Sequence, residues 1–376
     1  MTYYKIGEID NSFGDNVILD CRPAVWDNTW EREPYWQRDL SAARLLPVTF
    51  EQPVLLPNSV LPPVTQLIYQ AAGFAMPKNA IIYKDEEHRR KLIEHYVNNG
   101  WQVALQAPHQ EGEIPPCAYF VDRSLLIFLN NKANLDRIIP AHFLAPRRKY
   151  TSVQIRNCLS EIQTWPVALK AGMPQPSLGG DDVFLCSDQS ELLLSLDKLM
   201  SGAQIIVESW LKHSKNVCVQ YNVDIVHGIQ YLGAAEQIIV EHSRHVGNII
   251  DLNYIPPREV LNALQKAAGL ARNLGYLGVV GFDVLIDEDS QYGWVIDANF
   301  RMNGSTTALL LAHRMRSAGL GDLFETKSVH LPLNDSSSVA RFVSDCEQAT
   351  IIPTAVVVDE EHALIRAGVL RCLDRR

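Results

Sequence analysis

The chain has 376 residues, 47% apolar and 20% charged, with a formal net charge of −9. That length exceeds one core and predicts two or three packed subdomains, and the acidic balance argues against a protein that binds nucleic-acid backbones. Seven scattered cysteines without a C-x-x-C pair argue against a zinc site and for free thiols in a reducing compartment. The N-terminus MTYYKIGEIDNSFGD lacks the basic and apolar regions of a signal peptide. No apolar run approaches the roughly 20 residues that span a bilayer, so a cytoplasmic protein is expected.

Short apolar runs at Val17–Leu19, Leu46–Phe50, Ala80–Tyr83 and Val103–Leu105 read as strands, with helical patterns over 62–72 and 86–99. Such alternation predicts a parallel, layered α/β unit. No G-x-G-x-x-G follows any of these strands, so a dinucleotide fingerprint is missing. Trp26, Trp30, Tyr35 and Trp36 crowd a charged segment, either as a cap packed on the core or as a substrate cage. Leu125–Leu129 reads as a strand, and Asn131 as the N-cap of a helix that Lys132 opens. Arg147–Arg148–Lys149 reads as a solvated loop.

In PVALKAGMPQPSLGGDDVFLC, a strand at Val167–Leu169 ends in Lys170, and a second strand follows at Val183–Cys186. The loop between them carries Ser177, Gly179 and Gly180. A lysine facing a glycine-bearing loop suits a phosphate, because the ammonium supplies charge and the loop's N–H groups supply donors. A long hairpin turn is the alternative. Helical spacing covers Gln189–Met200, and a strand at Gln204–Val207 runs into Glu208, Ser209, Trp210 and Leu211. Val217–Val223 and Ile229–Ala234 continue a sheet. Polar residues then gather at Glu236, Gln237, His242, Arg244 and His245; the two histidines lack a third ligand nearby. Pro256–Leu277 is an amphipathic helix.

That helix leads into GVVGFDVLIDEDSQYGWVIDANFRMNGSTT, which reads as a β-hairpin. A turn near Ser290 sets Asp283 opposite Asp297, and directly opposed side chains have Cβ atoms about 5 Å apart. Two carboxylates that close repel unless a proton or a cation lies between them. Asn299 and Arg301 follow Asp297 at intervals of two and share its face. The set reads as a hard-cation site beside an anion clamp; a solvated face on an edge hairpin, with an Arg–Asp pair balancing the charge, is the alternative. A helix over Ser305–Ser317, a loop at Asp335–Ser338, a strand at Ile351–Val358 and a last element at Leu364–Leu373 complete the chain.

The D-x-N-x-R strand, the acid on the preceding strand and the small polar loop Asn303, Gly304, Ser305 resemble the metal-binding end of the ATP-grasp ligases. Asp297 stands where that family usually has Glu. The resemblance implies an α/β (α+β) ATP-grasp fold with two subdomains clasping ATP, after a Rossmann-like pre-ATP-grasp domain. The implied divisions are 1–125, a linker and small subdomain over 126–205, a metal-bearing subdomain over 206–325, and an extension over 326–376 packed on the core. Lys132 and Lys170, with Ser177, Gly179 and Gly180, would contact the phosphates, and Glu208, Ser209, Trp210 and Leu211 would form the adenine hinge. Asp283, Asp297 and Asn299 would hold one or two Mg²⁺, with Mn²⁺ able to substitute. Arg301 and Lys170 would act in catalysis. Glu236, Gln237, His242, Arg244, His245, Asn303, Gly304 and Ser305 would face the substrates.

The reaction so implied activates a carboxylate, of an amino acid or peptide, as an acyl phosphate. An amine then captures it, with release of ADP and phosphate. A carrier-protein thiol as acceptor, a small-molecule kinase and a nucleotide-binding module without turnover stay open, as does a homodimer. Nucleic-acid and membrane partners are not expected.

Overall fold

The computed structural model describes residues 9, 13–24, 35–173, 183–199, 203–240 and 244–374, with only the backbone of Arg244. The loop residues Ser177, Gly179 and Gly180, as well as His242, Trp26 and Trp30, lie outside them. Three sheets organise the rest.

Val17–Asp20 (β1), Val54–Pro57 (β2), Ala80–Tyr83 (β3) and Gln102–Leu105 (β4) form a sheet of order β3-β2-β1-β4, parallel throughout. Helices Tyr35–Ala43 (α1), Pro63–Ala71 (α2) and Glu86–Asn98 (α3) lie between the strands in sequence. β1 and β2 are buried along their whole length, which explains why they read as continuous apolar runs. The expected strand at Leu46–Phe50 is instead a 3-10 turn, Leu46–Val48. Pro47 cannot donate to a ladder, and the strand that pairs with β1 comes later, at Val54. The Trp segment does meet the core at Trp36, whose ring covers the Arg366 guanidinium at 4.4 Å.

Helix Arg123–Asn130 (α4) replaces the expected strand at Leu125–Leu129. An apolar run this short fits either period, and Asp122 decides it by accepting N–H bonds from Ser124 and Leu125. The helix expected from Lys132 is a 3-10 helix, Lys132–Arg137, and Asn131 does cap it. Arg147–Tyr150 (β5), Val167–Gly172 (β6), Val183–Cys186 (β7) and Gln204–Ser209 (β8) then form a small antiparallel sheet of order β5-β8-β6-β7. It packs with Ser152–Asn157 (α5) and Gln189–Leu196 (α6) around its own core of Ile155, Leu169, Leu192 and Ile205.

The large sheet is antiparallel, with the order β13-β12-β9-β10-β11-β14-β16-β15. Its strands are Lys215–Asp224 (β9), Gly228–Val240 (β10), Arg244–Asp251 (β11), Gly278–Asp287 (β12), Tyr292–Asn299 (β13), Leu323–Pro332 (β14), Ile351–Asp359 (β15) and Leu364–Cys372 (β16). Arg258–Asn273 (α7), Thr306–Ser317 (α8) and Ser336–Glu347 (α9) pack on it. The loop expected at Asp335–Ser338 opens α9, because the Asp335 carboxylate caps the helix through the Ser338 N–H. The last fifty or so residues extend the large sheet through β14, β16 and β15. They also reach the parallel sheet's helices, where Tyr69 of α2 accepts the Val356 N–H at 2.7 Å.

Two arginines are wholly buried under the parallel sheet. Arg89 pairs with Asp20 and Glu86, and Arg22 with Asp39 and Glu86. Removing one partner from such a pair strands a buried charge, which costs about 3–5 kcal/mol. Arg89→Met is therefore expected to lower the unfolding free energy by about that amount in urea titrations followed by circular dichroism. A loss below about 1 kcal/mol would place this network among the weak surface pairs.

Candidate active site

The β12–β13 register puts Asp283 directly opposite Asp297, with a bulge immediately after Asp283. On its other side β12 pairs with β9, which sets Cys218 opposite Asp283. Asp283 is held from three directions. Gln237 of β10 donates to it at 2.8 Å, Asn299 Nδ2 at 3.2 Å, and the Cys218 thiol hydrogen-bonds to it as well. Burial first, and the Asp297 carboxylate second, push the Asp283 carboxyl up from its ordinary 3.8 to about 7.

The cations arrive from separate elements. Lys132, at the start of its 3-10 turn, places Nζ 3.9 Å from Asp297 Oδ2. Lys170, on β6, donates to the Ile296 carbonyl at 2.9 Å and lies 2.5 Å from Glu208 Oε2. Arg301 is half-buried, and desolvation lowers its pKa. Its Nη1 lies 3.2 Å from Asn130 Oδ1, which also accepts the Phe300 N–H. The sequence reading did not single out Asn130, because its position on α4 is legible only once that segment is a helix.

Gly281, two residues before Asp283, marks a close approach. A Cβ there would stand 2.7 Å from Asn303 Cγ and 2.8 Å from Cys218 Sγ. Glycine thus lets the loop after β13 fold against β12. That loop is fixed by Asn303 Nδ2 on the Arg301 carbonyl and by Gln220, which donates to Ser305 and accepts from Thr306. Gly304 lies near His245, where a Cβ would be 3.9 Å from Cε1. His245 sits on β11, with Nε2 3.1 Å from Asn248 Oδ1, and burial lowers its pKa.

Of the other expected site residues, Glu236 is engaged with Lys215 at 2.8 Å, and Gln237 joins the acid pair. β8 runs two residues further than expected, so Glu208 and Ser209 are strand residues, and the Glu208 side chain faces Lys170. Trp210 is 39% exposed, and its ring forms a T-shaped pair with His213. The basic run at 147–149 is not a solvated loop. Arg147 is buried, donates to the Lys132 carbonyl at 2.7 Å and faces Glu208 at 3.3 Å, while Lys149 donates to the Ala133 carbonyl. Of the three, Arg148 keeps the expected surface position.

A cavity of about 30 Å³ opens beside Arg301 and Met302, against the carboxyl ends of β1 and β4. Strand order reverses at β1, and open α/β sheets use such a reversal as a binding crevice. Its walls include Leu19, Cys21, Leu45, Gln106 and Leu126.

Paired acids on the large sheet, with Lys170 of the small sheet and Lys132 of the intervening 3-10 helix close by, make a candidate site of the ATP-grasp ligase class. A family model described as "L-aspartate--L-methionine ligase, ATP grasp" matches residues 146–299, and one described as "L-aspartate--L-methionine ligase N-terminal domain" matches residues 8–127. Together they span most of the chain, which belongs to the L-aspartate–L-methionine ligase family of ATP-grasp amino-acid ligases. Among solved structures, the chain is similar to N5-carboxyaminoimidazole synthetase from Staphylococcus aureus complexed with ADP (TM-score 0.59, 11% identity, 96% of this chain and 94% of that one). The corresponding ribonucleotide synthetase from Thermus thermophilus gives a TM-score of 0.55 at 12% identity, over 96% and 93%. Biotin carboxylase from Campylobacter jejuni, in a complex with β-γ-ATP, gives 0.55 at 10%, over 95% and 87%. At these identities the likeness is one of fold.

The raised Asp283 carboxyl has a consequence for stability. The folded state holds a proton that the unfolded chain has already released, so this group's contribution falls as pH rises from about 4 to about 7. Asp283→Asn has no such proton. In metal-free buffer, wild type should lose stability relative to the variant between about pH 5 and pH 8, by more than the ~1.4 kcal/mol of one pKa unit. Urea titrations at the two pH values measure it, and a flat difference would mean an ordinary, ionised Asp283.

Proposed function

We propose that this protein activates a carboxyl group of aspartate as an acyl phosphate and passes it to the amine of methionine, giving a dipeptide, ADP and phosphate. The observation that carries the proposal is the opposed pair Asp283–Asp297 with Lys132, Lys170 and Arg301 converging on it. The family to which the chain belongs supplies the two amino acids.

The donors fit magnesium. Asp283, Asp297 and Asn299 offer hard oxygens, and the raised Asp283 carboxyl marks a place where positive charge is wanted. Among the described residues no three His, Cys, Asp or Glu side chains gather as a metal site. Asp283, Asp297 and Asn299 would supply part of a coordination shell, as suits an ion that keeps phosphate and water ligands. When bound, Mg²⁺ would neutralise phosphate charge next to the reacting carboxylate. Manganese would serve the same donors.

Lys132 and Lys170 bind the phosphates as point charges. Arg301 acts on charge that develops as the phosphoryl group transfers and again in the tetrahedral intermediate. Asn130 holds its guanidinium in place. The cavity beside Arg301 supports a substrate with a slim apolar side chain, since its walls are mostly apolar, with Phe13 and the sulfurs of Cys21 and Met302 among them, and Gln106, Tyr276 and Arg301 supply the polar groups. Residues 208–211 remain our candidates for the adenine side, and Asn303, Gly304, Ser305 and His245 for the substrate side. We place the protein in the cytoplasm, because all seven cysteines are free and no described helix is long and apolar enough to cross a membrane.

With ATP, Mg²⁺, aspartate and methionine, stoichiometric ADP and a new dipeptide are expected by mass spectrometry. Omitting the amino acids should silence ADP release. Asp297→Asn keeps the side-chain shape while removing charge, and should cut turnover at least ~100-fold with the fold retained. Undiminished turnover in that variant at saturating Mg²⁺ would take Asp297 out of the metal site.

A further inference from the structure

We infer that Arg147 is a positioning residue that takes over the Glu208 carboxylate when Lys170 turns to the nucleotide phosphates. The inference rests on the reading of Lys170 given above.

Arg147, Glu208 and Lys170 share one face of the small sheet. The β5–β8 register sets Arg147 directly opposite Glu208, and the β6–β8 register sets Lys170 opposite Ile206, one same-face step away. Glu208 bridges the two cations, with Oε2 2.5 Å from Lys170 Nζ and Oε1 3.3 Å from Arg147 Nη1. All three side chains are almost completely buried. Two cations thus share one carboxylate, and the cluster carries an excess positive charge.

Arg147 is also only half satisfied. Its Nη2 donates to the Lys132 carbonyl at 2.7 Å, which fixes the guanidinium plane. Nε and Nη1 are buried without a hydrogen-bond partner. A guanidinium with one edge anchored and donors unused is preorganised to receive a carboxylate. As Lys170 turns to a phosphate, its contact with Glu208 loosens. Without Arg147 that movement would strand a buried, unpaired carboxylate, which is strongly unfavourable. With Arg147 in place, Glu208 closes the short gap to Nη1 and Nε, and Lys170 is released. The same arginine holds the backbone of Lys132, so one side chain sets both phosphate lysines.

Arg147→Met keeps bulk and removes charge, leaving Glu208 with Lys170 alone. Lys170 is then held more tightly, and ATP affinity, measured by calorimetry on the full chain, should fall at least ~10-fold. Adding Glu208→Gln frees Lys170, so R147M/E208Q should bind ATP more tightly than R147M. A fold defect would not show this rescue, since deleting a second buried partner would deepen the damage. Arg147→Lys, a charge without the fork, serves if R147M does not fold, and should give an intermediate loss that E208Q again reduces. An unchanged ATP affinity in R147M, or a double variant as weak as R147M or weaker, overturns the inference. Lys170→Ala separates the two levels. If it leaves ATP binding untouched, the reading of Lys170 falls and the role of Arg147 with it.

Discussion

Two carboxylates face each other across a buried hairpin, and the site is arranged around that conflict. Asp283 and Asp297 occupy one register pair. Gln237 and Asn299 give Asp283 neutral hydrogen bonds, which hold its position without cancelling its charge. The Lys132 ammonium stands 3.9 Å from Asp297. A folded hairpin with this pair is comfortable with a proton or a metal between the acids, and strained without either. In the function proposed above, the acids would receive a dication that arrives with phosphate.

The small sheet answers from the opposite side with excess positive charge. Its face carries Arg147 and Lys170 around one carboxylate, and Lys170 reaches across to the Ile296 carbonyl of β13. These contacts between the sheets are polar, so a ligand can replace them bond for bond. An apolar seam in the same place would have to be torn open. Each sheet keeps its aliphatic packing to itself: Leu169, Leu192 and Ile205 on one side, Val280, Phe282 and Val295 on the other. The polar gap between them is left for chemistry.

Much of this was legible in the sequence because strand geometry is periodic. Alternation at intervals of two suggested one face for Asp297, Asn299 and Arg301, and a turn near Ser290 suggested Asp283 against Asp297; the turn-proximal register is one residue off, and the bulge after Asp283 restores that pair. Lys170 was legible for the same reason, as the end of an apolar run. What escaped depended on non-local partners. Leu125–Leu129 carries no period that separates strand from helix, so Asn130 behind Arg301 could not be seen. Arg147 looked like surface charge because the sequence does not show that β5 pairs with β8 opposite Glu208. Leu46–Phe50 misled in the opposite direction: a good apolar run that Pro47 keeps out of a ladder. Asp335 and its serines read as loop, although the same residues start a helix.

In the proposed reaction the acid pair and its cations support transfer of a phosphoryl group from ATP to a carboxylate. Heavy-oxygen labelling tests it most directly. With aspartate labelled at the carboxyl oxygens, ATP, Mg²⁺ and methionine, one labelled oxygen should appear in the released phosphate for each dipeptide formed, with ADP as the nucleotide product. Label in AMP, or unlabelled phosphate beside a full yield of dipeptide, would contradict the account.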